Sequence, residues 1–267
     1  MAAATIFYVE RVPSEGEQAV LDGDEGHHAT RVLRMRVGES VMVCDGAGEV
    51  GDGVVASVDR AGLSVEVTRR WSVSPADPKV TVVQALPKSE RSELAVELAV
   101  EAGADEIVPW QAQRCVSRWD EQRADKGQRR WEAVARAASR QSRRAFVPVV
   151  GAPVGTVDLA ELVRRRVAGG AVALVLHESA TAALRLMREQ LSLAPSVVLI
   201  VGPEGGVTDE ELAVLAGAGA VPVRLGPTVL RTSTAAAVAL GALGVLTNRW
   251  AGAPLEHKGV EPGDAER

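Results

Sequence analysis

The run Gly202-Pro203-Glu204-Gly205-Gly206 follows without a break on the apolar stretch SVVLIV and leads into Thr208-x-x-Glu211. That spacing is a helix capping box, so the turn sits between the carboxyl end of a buried strand and the start of a helix. Glycines there let backbone amides and carbonyls come close to a ligand, and Pro203 stiffens the loop. Taken alone it reads as well as an ordinary turn. A second stretch repeats the logic: VPVRL ends at Leu225-Gly226, and Leu230-Arg231-Thr232 opens a helix of very small residues, TAAAVALGAL. Such a helix packs backbone close to backbone and leaves room for a flat ring to be gripped by main-chain groups and apolar side chains. A third strand end, Leu176-His177-Glu178, adds an edge. Three such ends favour a small-molecule site built from Val201 to Gly206 and Leu225 to Ala235.

The elements that must position these ends form an alternating series. VTVVQAL (80–86), EIVPW (106–110), AVALVL (171–176), SVVLIV (196–201) and VPVRL (221–225) read as strands. Helices are expected near 89–102, 128–145, 180–190, 208–216 and 232–247. Continuous apolar strands between amphipathic helices specify an α/β domain with a parallel sheet covered on both faces, and such sheets bind ligands at the strands' carboxyl ends. Before this, TIFYV, SVMVC, GVVASV and LSVEV are short β-branched runs broken by Gly and Asp clusters, as in a small β-barrel or sandwich. The division is therefore 1–71 for the β unit, a proline-containing linker at 72–79, 80–251 for the α/β domain, and a polar, disordered tail at 252–267.

In the 267 residues, 46% are hydrophobic and 24% charged, an ordinary globular balance. No apolar run is long enough to span a membrane and the N-terminus carries no signal peptide pattern, so a cytoplasmic location is expected. Cys44 and Cys115 stand apart without His or Cys neighbours at ligand spacing, which excludes a zinc site and a disulfide framework. No metal is expected. The net charge of −5 argues against nucleic acid until its distribution is seen. Between 110 and 150 ten Lys/Arg face four Asp/Glu, a local +6 that leaves −11 for the rest of the chain. Arg129, Arg136, Arg140 and Arg143 are spaced to form one helix stripe, with Trp131, Val134, Ala135 and Ala138 on another. Arg31, Arg34 and Arg36 beside His28 make a second basic cluster. Either cluster reads as a solvated surface or as a phosphate-binding face, and the concentration of charge in an acidic chain favours RNA.

Other patterns do not carry chemistry. Gly46, Gly48 and Gly51 match a dinucleotide fingerprint but precede the strand-like GVVASV where a helix is required, so they mark a hairpin. Lys88-Ser89 ends like a phosphate-binding loop without the upstream glycines, and phosphate cradling is not expected there. His27-His28 lacks further ligands. Neither a nucleophile elbow nor an H-E-x-x-H pair is present.

Four blocks in order, HHATRVLRMRVGE, KSERSELAVELAVEAGADEIVPWQAQRCVSRW, RRWEAVARAASRQSRRAFVPVV and GPEGG with LGPTVLRTSTA, resemble the RsmE family of the SPOUT superfamily over nearly the whole chain. That family methylates N3 of a uridine in small-subunit 16S ribosomal RNA. The resemblance implies a PUA-like RNA-binding barrel, a knotted SPOUT-type methyltransferase domain with a C-terminal trefoil knot, S-adenosyl-L-methionine as cofactor, the 16S rRNA or small ribosomal subunit as partner, and a homodimer. It makes Leu176, His177, Gly202, Glu204, Gly205, Leu225, Gly226, Leu230 and Thr232 cofactor-binding residues. RNA contact falls to His28, Arg31, Arg34, Arg36, Arg129, Arg136, Arg140 and Arg143.

Removing the uridine N3 proton calls for a base, and Glu204 is the candidate carboxylate, with a structural turn role as its alternative. Arg114 and Arg231 are candidates to stabilise the resulting anion. The chain departs from the family's L-R-x-E-T-A by placing Ser233 at a common carboxylate position, from its Lys-x-x-Glu-Leu-Gly by Leu98 through Gly103, and from its Arg-Ser by Arg114-Cys115. A related enzyme acting on another base or a ribose hydroxyl, and a non-catalytic ribosome-assembly factor, are the competing readings. A Rossmann dehydrogenase is the weakest.

Overall fold

A computed structural model describes residues 5–60 and 62–256. The tail expected to be disordered lies outside the described residues from 257 onward. The chain divides into two compact units, one of residues 1–75, 140–147 and 253–267, the other of residues 76–139 and 148–252.

In the first unit, β1 (Thr5–Tyr8), β2 (Gln18–Leu21), β3 (Ser40–Cys44), β4 (Glu49–Val58) and β5 (Leu63–Ser72) form one sheet in the order β1-β3-β4-β5-β2. β1 pairs parallel with β3 and the other ladders are antiparallel. No ladder joins β1 to β2 among the described residues, so the sheet is a half-barrel rather than a closed one. Phe7, Val41, Val43, Val55, Val65 and Val67 fill its inner face, as the period-2 alternation of β-branched residues requires. The glycines read as a hairpin do form one: Gly46 and Gly48 take positive φ between β3 and β4. A Cβ on Gly48 would lie 2.6 Å from Phe146 Cζ. Before β3, α1 (Gly23–His27) runs on as a wider π turn over His28–Val32.

Residues 140–147 pack with this first unit instead of continuing the α/β domain as the contiguous reading of 80–251 had it. Tyr8 donates from its hydroxyl to the Arg144 carbonyl at 2.7 Å, and the Cys44 thiol donates to the Ala145 carbonyl at 3.2 Å. Two polar-to-backbone bonds and the buried cluster of Ile6, Met42, Val50 and Ala145 hold the segment.

The second unit is the expected α/β layer structure. β6 (Lys79–Ala85), β7 (Glu106–Trp110), β8 (Val149–Val150), β9 (Val172–Leu176), β10 (Ser196–Val201) and β11 (Val221–Val223) lie in the order β11-β9-β10-β6-β7-β8, all ladders parallel. β10 is buried along Val197–Val201 because it is the central strand, covered on both faces. The helices are α2 (Ser89–Glu101), α3 (Glu121–Gln141), α4 (Thr156–Ala168), α5 (Arg188–Leu193), α6 (Asp209–Gly217) and α7 (Thr232–Leu246). The small residues of α7 let Ala235, Ala236, Ala239, Leu240 and Leu243 pack into the core, with α2 alongside.

Several bounds differ from expectation. α3 begins seven residues before 128 and ends at Gln141, because its first two turns, EQRADKGQ, are polar and carry no apolar period. The helix expected at 180–190 is a 3-10 turn (Leu184–Met187) followed by the short α5, and β11 stops at Val223. Strands β2 and β8 and helices α1 and α4 were not anticipated.

Candidate functional site

The carboxyl ends of β9, β10 and β11 open onto one cleft of about 800 Å³ within the second unit. All nine residues assigned to cofactor binding line it, as do Glu204, Arg114 and Arg231. The shape follows from strand order. Since β9 lies between β11 and β10, the loops at 176–178, 202–206 and 224–231 are spatial neighbours despite their separation in sequence.

The Gly-rich turn is fixed from three directions. Thr208 caps α6 through the expected box: its hydroxyl accepts from the Glu211 amide, and Glu211 Oε2 accepts from the Thr208 amide, both at 3.2 Å. Glu211 Oε1 also accepts from the Gln113 amide and the Thr156 hydroxyl, each at 2.8 Å. One buried carboxylate thus ties α6, the loop carrying Arg114, and the start of α4 together. On the inner side the Thr232 hydroxyl donates to the Gly202 carbonyl at 2.6 Å and accepts from Gln84 Nε2 at 3.1 Å. Gln84 is buried at the end of β6, and the same Nε2 donates to the Ala85 carbonyl, which fixes the orientation of the amide. The chain Gln84, Thr232, Gly202 therefore links β6, α7 and β10 at the floor of the cleft.

Two glycines shape the cleft in different ways. A Cβ on Gly205 would lie 2.9 Å from Arg114 Cβ, so the turn and the Arg114 loop touch backbone to side chain. A Cβ on Gly226 would meet nothing within 4 Å. Gly226 thus borders open space in the cleft wall, room that a side chain would occupy.

The polar groups fall into two sets. Glu204 is exposed, and its Oε1 accepts from the Lys88 amide at 3.1 Å, leaving Oε2 without a partner among the described residues. Arg114 donates from Nη1 to the Gly205 carbonyl at 3.2 Å. His177 Nδ1 accepts from the Ser179 amide at 3.3 Å, which leaves any proton of the neutral ring on Nε2. Lys88, Arg91, Asp209 and Arg224 also line the cleft and were not singled out as site residues from sequence. The signal existed for Lys88 and Arg91, which follow the carboxyl end of β6 directly, the place where ligands gather in such sheets. Position 233, where the carboxylate is lost, is not in the cleft. Ser233 is fully buried and its hydroxyl has no partner. Cys115 is buried, and that burial pushes its thiol above the usual value, which disfavours the thiolate.

The residues assigned to RNA contact fall in both units. Arg31, Arg34 and Arg36 are exposed in the first unit, with Arg34 in a left-handed conformation. His28 is half-buried, edge-on to Phe7, and its imidazole is held below the usual value by desolvation first and by the charge of Arg140 second. On α3, Arg129 and Arg136 are exposed while Trp131, Ala135 and Ala138 are buried, so the two stripes separate as expected. Two members do not fit the stripe. Arg140 pairs with the largely buried Glu25 at 3.0 Å, a contact that a bare phosphate-binding side chain would not make. Arg143 lies beyond the end of α3 at φ +53°, so helical spacing does not govern its direction.

Residues 74–244 match the family model of an RNA methyltransferase domain, and residues 21–68 that of an RNA methyltransferase PUA domain. The chain is 59% identical over 247 residues to the ribosomal RNA small subunit methyltransferase E of Mycobacterium bovis, covering 92% of this chain and 94% of that one. It is 29% identical over 249 residues to the same-named protein of Bacillus subtilis, covering 90% and 96%. Its fold is similar to a ribosomal RNA small subunit methyltransferase E from Neisseria gonorrhoeae bound to S-adenosyl methionine, with a TM-score of 0.82, 26% identity and coverage of 91% and 98%. A putative methyltransferase from Legionella pneumophila in complex with the same cofactor gives a TM-score of 0.81 at 28% identity, with coverage of 91% and 98%.

Proposed function

We propose that this chain, which belongs to the RNA methyltransferase family of ribosomal RNA small subunit methyltransferase E, methylates N3 of a uridine in 16S ribosomal RNA with S-adenosylmethionine as donor. The observation that carries the reading is the cleft shared by three adjacent parallel strand ends, floored by the Gln84, Thr232, Gly202 chain.

The cleft fits the cofactor on its own features. Its volume of about 800 Å³ lies in the range of small-molecule sites, roughly 300–1,000 Å³. Leu176, Leu225 and Leu230 offer apolar contact, Gly226 leaves room, and backbone groups of 202–205 supply polar ones. Leu176, His177, Gly202, Glu204, Gly205, Leu225, Gly226, Leu230 and Thr232 would hold it. When bound, S-adenosylmethionine supplies an electrophilic methyl group on a sulfonium centre.

The chain's own work is positioning and proton handling. Uridine N3 is a useful nucleophile only once its proton leaves. Glu204 is anchored through Oε1 by the Lys88 amide, so Oε2 is the oxygen that takes that proton. Arg114, whose second guanidinium nitrogen is not used by Gly205, and Arg231 stabilise the negative charge that spreads over the ring. Arg31, Arg34, Arg36, Arg129 and Arg136 bind the RNA backbone without reading its sequence. The reading includes a C-terminal trefoil knot, a homodimer, a cytoplasmic location and independence of metal ions. Among the described residues, no helix is long and apolar enough to cross a membrane, and no group of three His, Cys, Asp or Glu is placed to hold a metal.

Mass spectrometry of ribosomal RNA from cells lacking the gene tests the function. A 3-methyluridine that is missing there, and returns when the purified protein and S-adenosylmethionine are added, is the expected result. Return of a different modified nucleoside, or of none, overturns it. Glu204→Gln is expected to slow turnover by about 10²-fold or more while cofactor affinity stays nearly the same. Unchanged turnover removes Glu204 from the chemistry.

A further inference from the structure

One side of the cleft is not used by the residues assigned to the cofactor. Those residues follow β9, β10 and β11. In the sheet order β11-β9-β10-β6-β7, the loops after β6 and β7 lie across β10 from β9 and β11. They bring three cations to the cleft: Lys88 and Arg91 after β6, and Arg114 after β7.

Their convergence is fixed by short contacts to two consecutive residues. The Lys88 amide donates to Glu204 Oε1 at 3.1 Å, and Arg114 Nη1 donates to the Gly205 carbonyl at 3.2 Å. Arg91 sits one turn beyond Lys88, with its amide donating to the Lys88 carbonyl at 2.8 Å. Residues three apart on a helix share a face. Among the described residues Lys88 and Arg91 have no ion pair, and Arg114, whose hydrogen-bond acceptor is an uncharged carbonyl, feels the charge of Glu210 without a direct bridge to it. The acids Glu204 and Asp209 line the same cleft without pairing to them. Clustering like charges at one edge of an acidic chain costs free energy that a bound anion recovers.

We infer that Lys88 and Arg91 form a subsite for RNA backbone phosphate beside the reacting nucleotide, leaving Arg114 to the charge on its ring. This deepens the proposed function and depends on it. An extruded nucleotide arrives with a phosphate on either side, and a guanidinium fork beside a mobile ammonium suits one phosphate without reading its sequence. The contact comes from side chains. It needs none of the glycine-rich backbone whose absence argued against phosphate binding at Lys88-Ser89.

The test uses the full chain with Lys88→Ala, Arg91→Ala, the double variant and the charge-keeping Arg91→Lys. Binding to small-subunit RNA from cells lacking the gene is measured by filter retention across salt, and S-adenosylmethionine binding by calorimetry. Each lost cation should lower the slope of log affinity against log salt by about 0.7, the increment for a contact to single-stranded RNA. The double variant should bind RNA at least tenfold more weakly at low salt, keep its cofactor affinity within twofold, and be partly rescued at 91 by lysine. A cofactor affinity that falls while RNA binding holds assigns these cations to the cofactor's carboxylate and overturns the proposal. Unchanged affinity for both makes them solvated surface and overturns it too. Wild-type methylation in the same preparation keeps the outcomes apart: its absence sinks the methyltransferase reading, whereas the salt slopes report the subsite regardless. Thermal melts confirm that each variant is folded, and Lys88→Glu, which should weaken RNA binding beyond Lys88→Ala, serves if an alanine variant is not.

Discussion

Replacing Thr232 by Val should loosen the floor of the cleft by an amount set by two hydrogen bonds. Valine keeps the volume and β-branching but removes the hydroxyl that donates to the Gly202 carbonyl at 2.6 Å and accepts from Gln84 Nε2 at 3.1 Å. The carbonyl loses its donor in a part-buried place, while Gln84 keeps its bond to the Ala85 carbonyl. One orphaned acceptor at about 1–2 kcal/mol and one halved donor at about 0.5–1 kcal/mol give a loss of roughly 2 kcal/mol. In a chain of this size that is a fall in Tm of about 4–8 °C. Thr232→Ser, which keeps the hydroxyl, should cost no more than the methyl group, about 0.8 kcal/mol. The partner change Gln84→Met removes the donor together with Gln84 Oε1, a buried atom that has no partner now. Deleting both ends of a polar contact costs less than orphaning one. The double variant Gln84→Met/Thr232→Val should therefore be more stable than the sum of the single losses by about 1 kcal/mol. Urea unfolding measures the cycle, and calorimetry should show S-adenosylmethionine affinity reduced at least tenfold in Thr232→Val. Additivity within about 0.3 kcal/mol, with cofactor affinity unchanged, would refute the idea that this chain of bonds holds the Gly202 turn.

Gly226→Val should leave Tm unchanged and weaken cofactor binding, because its side chain would enter open space and not packed atoms; a fall in Tm with intact binding would locate the error in the cleft. Arg249→Leu removes a cation that is 3% exposed and bridges Asp105 Oδ2 at 2.8 Å to the carbonyls of Pro78 and Gly103. Taking the cation from the Asp105 carboxylate, which keeps the Val80 amide as a donor, should cost about 3–5 kcal/mol in urea unfolding, and a loss below about 1 kcal/mol would count against a buried clamp. For His28, whose value is depressed chiefly by desolvation, the folded state favours the neutral ring. Its contribution to stability is then full above the unfolded value of 6.5 and is lost as pH falls through the lower folded value. Wild type should lose stability over that acid range relative to His28→Gln, and parallel pH profiles for the two would contradict it.

The sequence made the strands of the second unit legible because strands buried on both faces read as unbroken apolar runs. Val197–Val201 and Val172–Leu176 could be placed almost to the residue. α4 escaped because Arg164, Arg165 and Arg166 interrupt the apolar stripe of Leu159, Ala160 and Val163, and β8 is only two residues long. The start of α3 escaped for want of any apolar period in its first two turns. At the site, glycine and proline at strand ends announced the cofactor side. Lys88 and Arg91 carry only the general signal of following a strand's carboxyl end, because nothing in the linear order 6-7-8-9-10-11 says that β10 inserts between β9 and β6. That insertion alone sets the loop after β6 against the Gly-rich turn.

The same insertion changes how the missing carboxylate at 233 should be weighed. As a sequence position it adjoins Thr232 and so reads as part of the cleft. Successive residues of a helix point about 100° apart, however, and Thr232 faces the cleft while the Ser233 hydroxyl is enclosed in the core. A carboxylate lost there removes no proton acceptor from the reacting region. Its replacement by a small hydroxyl leaves one unpartnered polar atom, alongside Gln84 Oε1, in the interior of this unit. Two such atoms give the region around β6 and α7 something to gain from substitution. Ser233→Ala deletes an unpaired buried hydroxyl at no loss of a bond, so it should hold or raise Tm and leave methyl transfer intact, and a marked loss of activity would return position 233 to the chemistry.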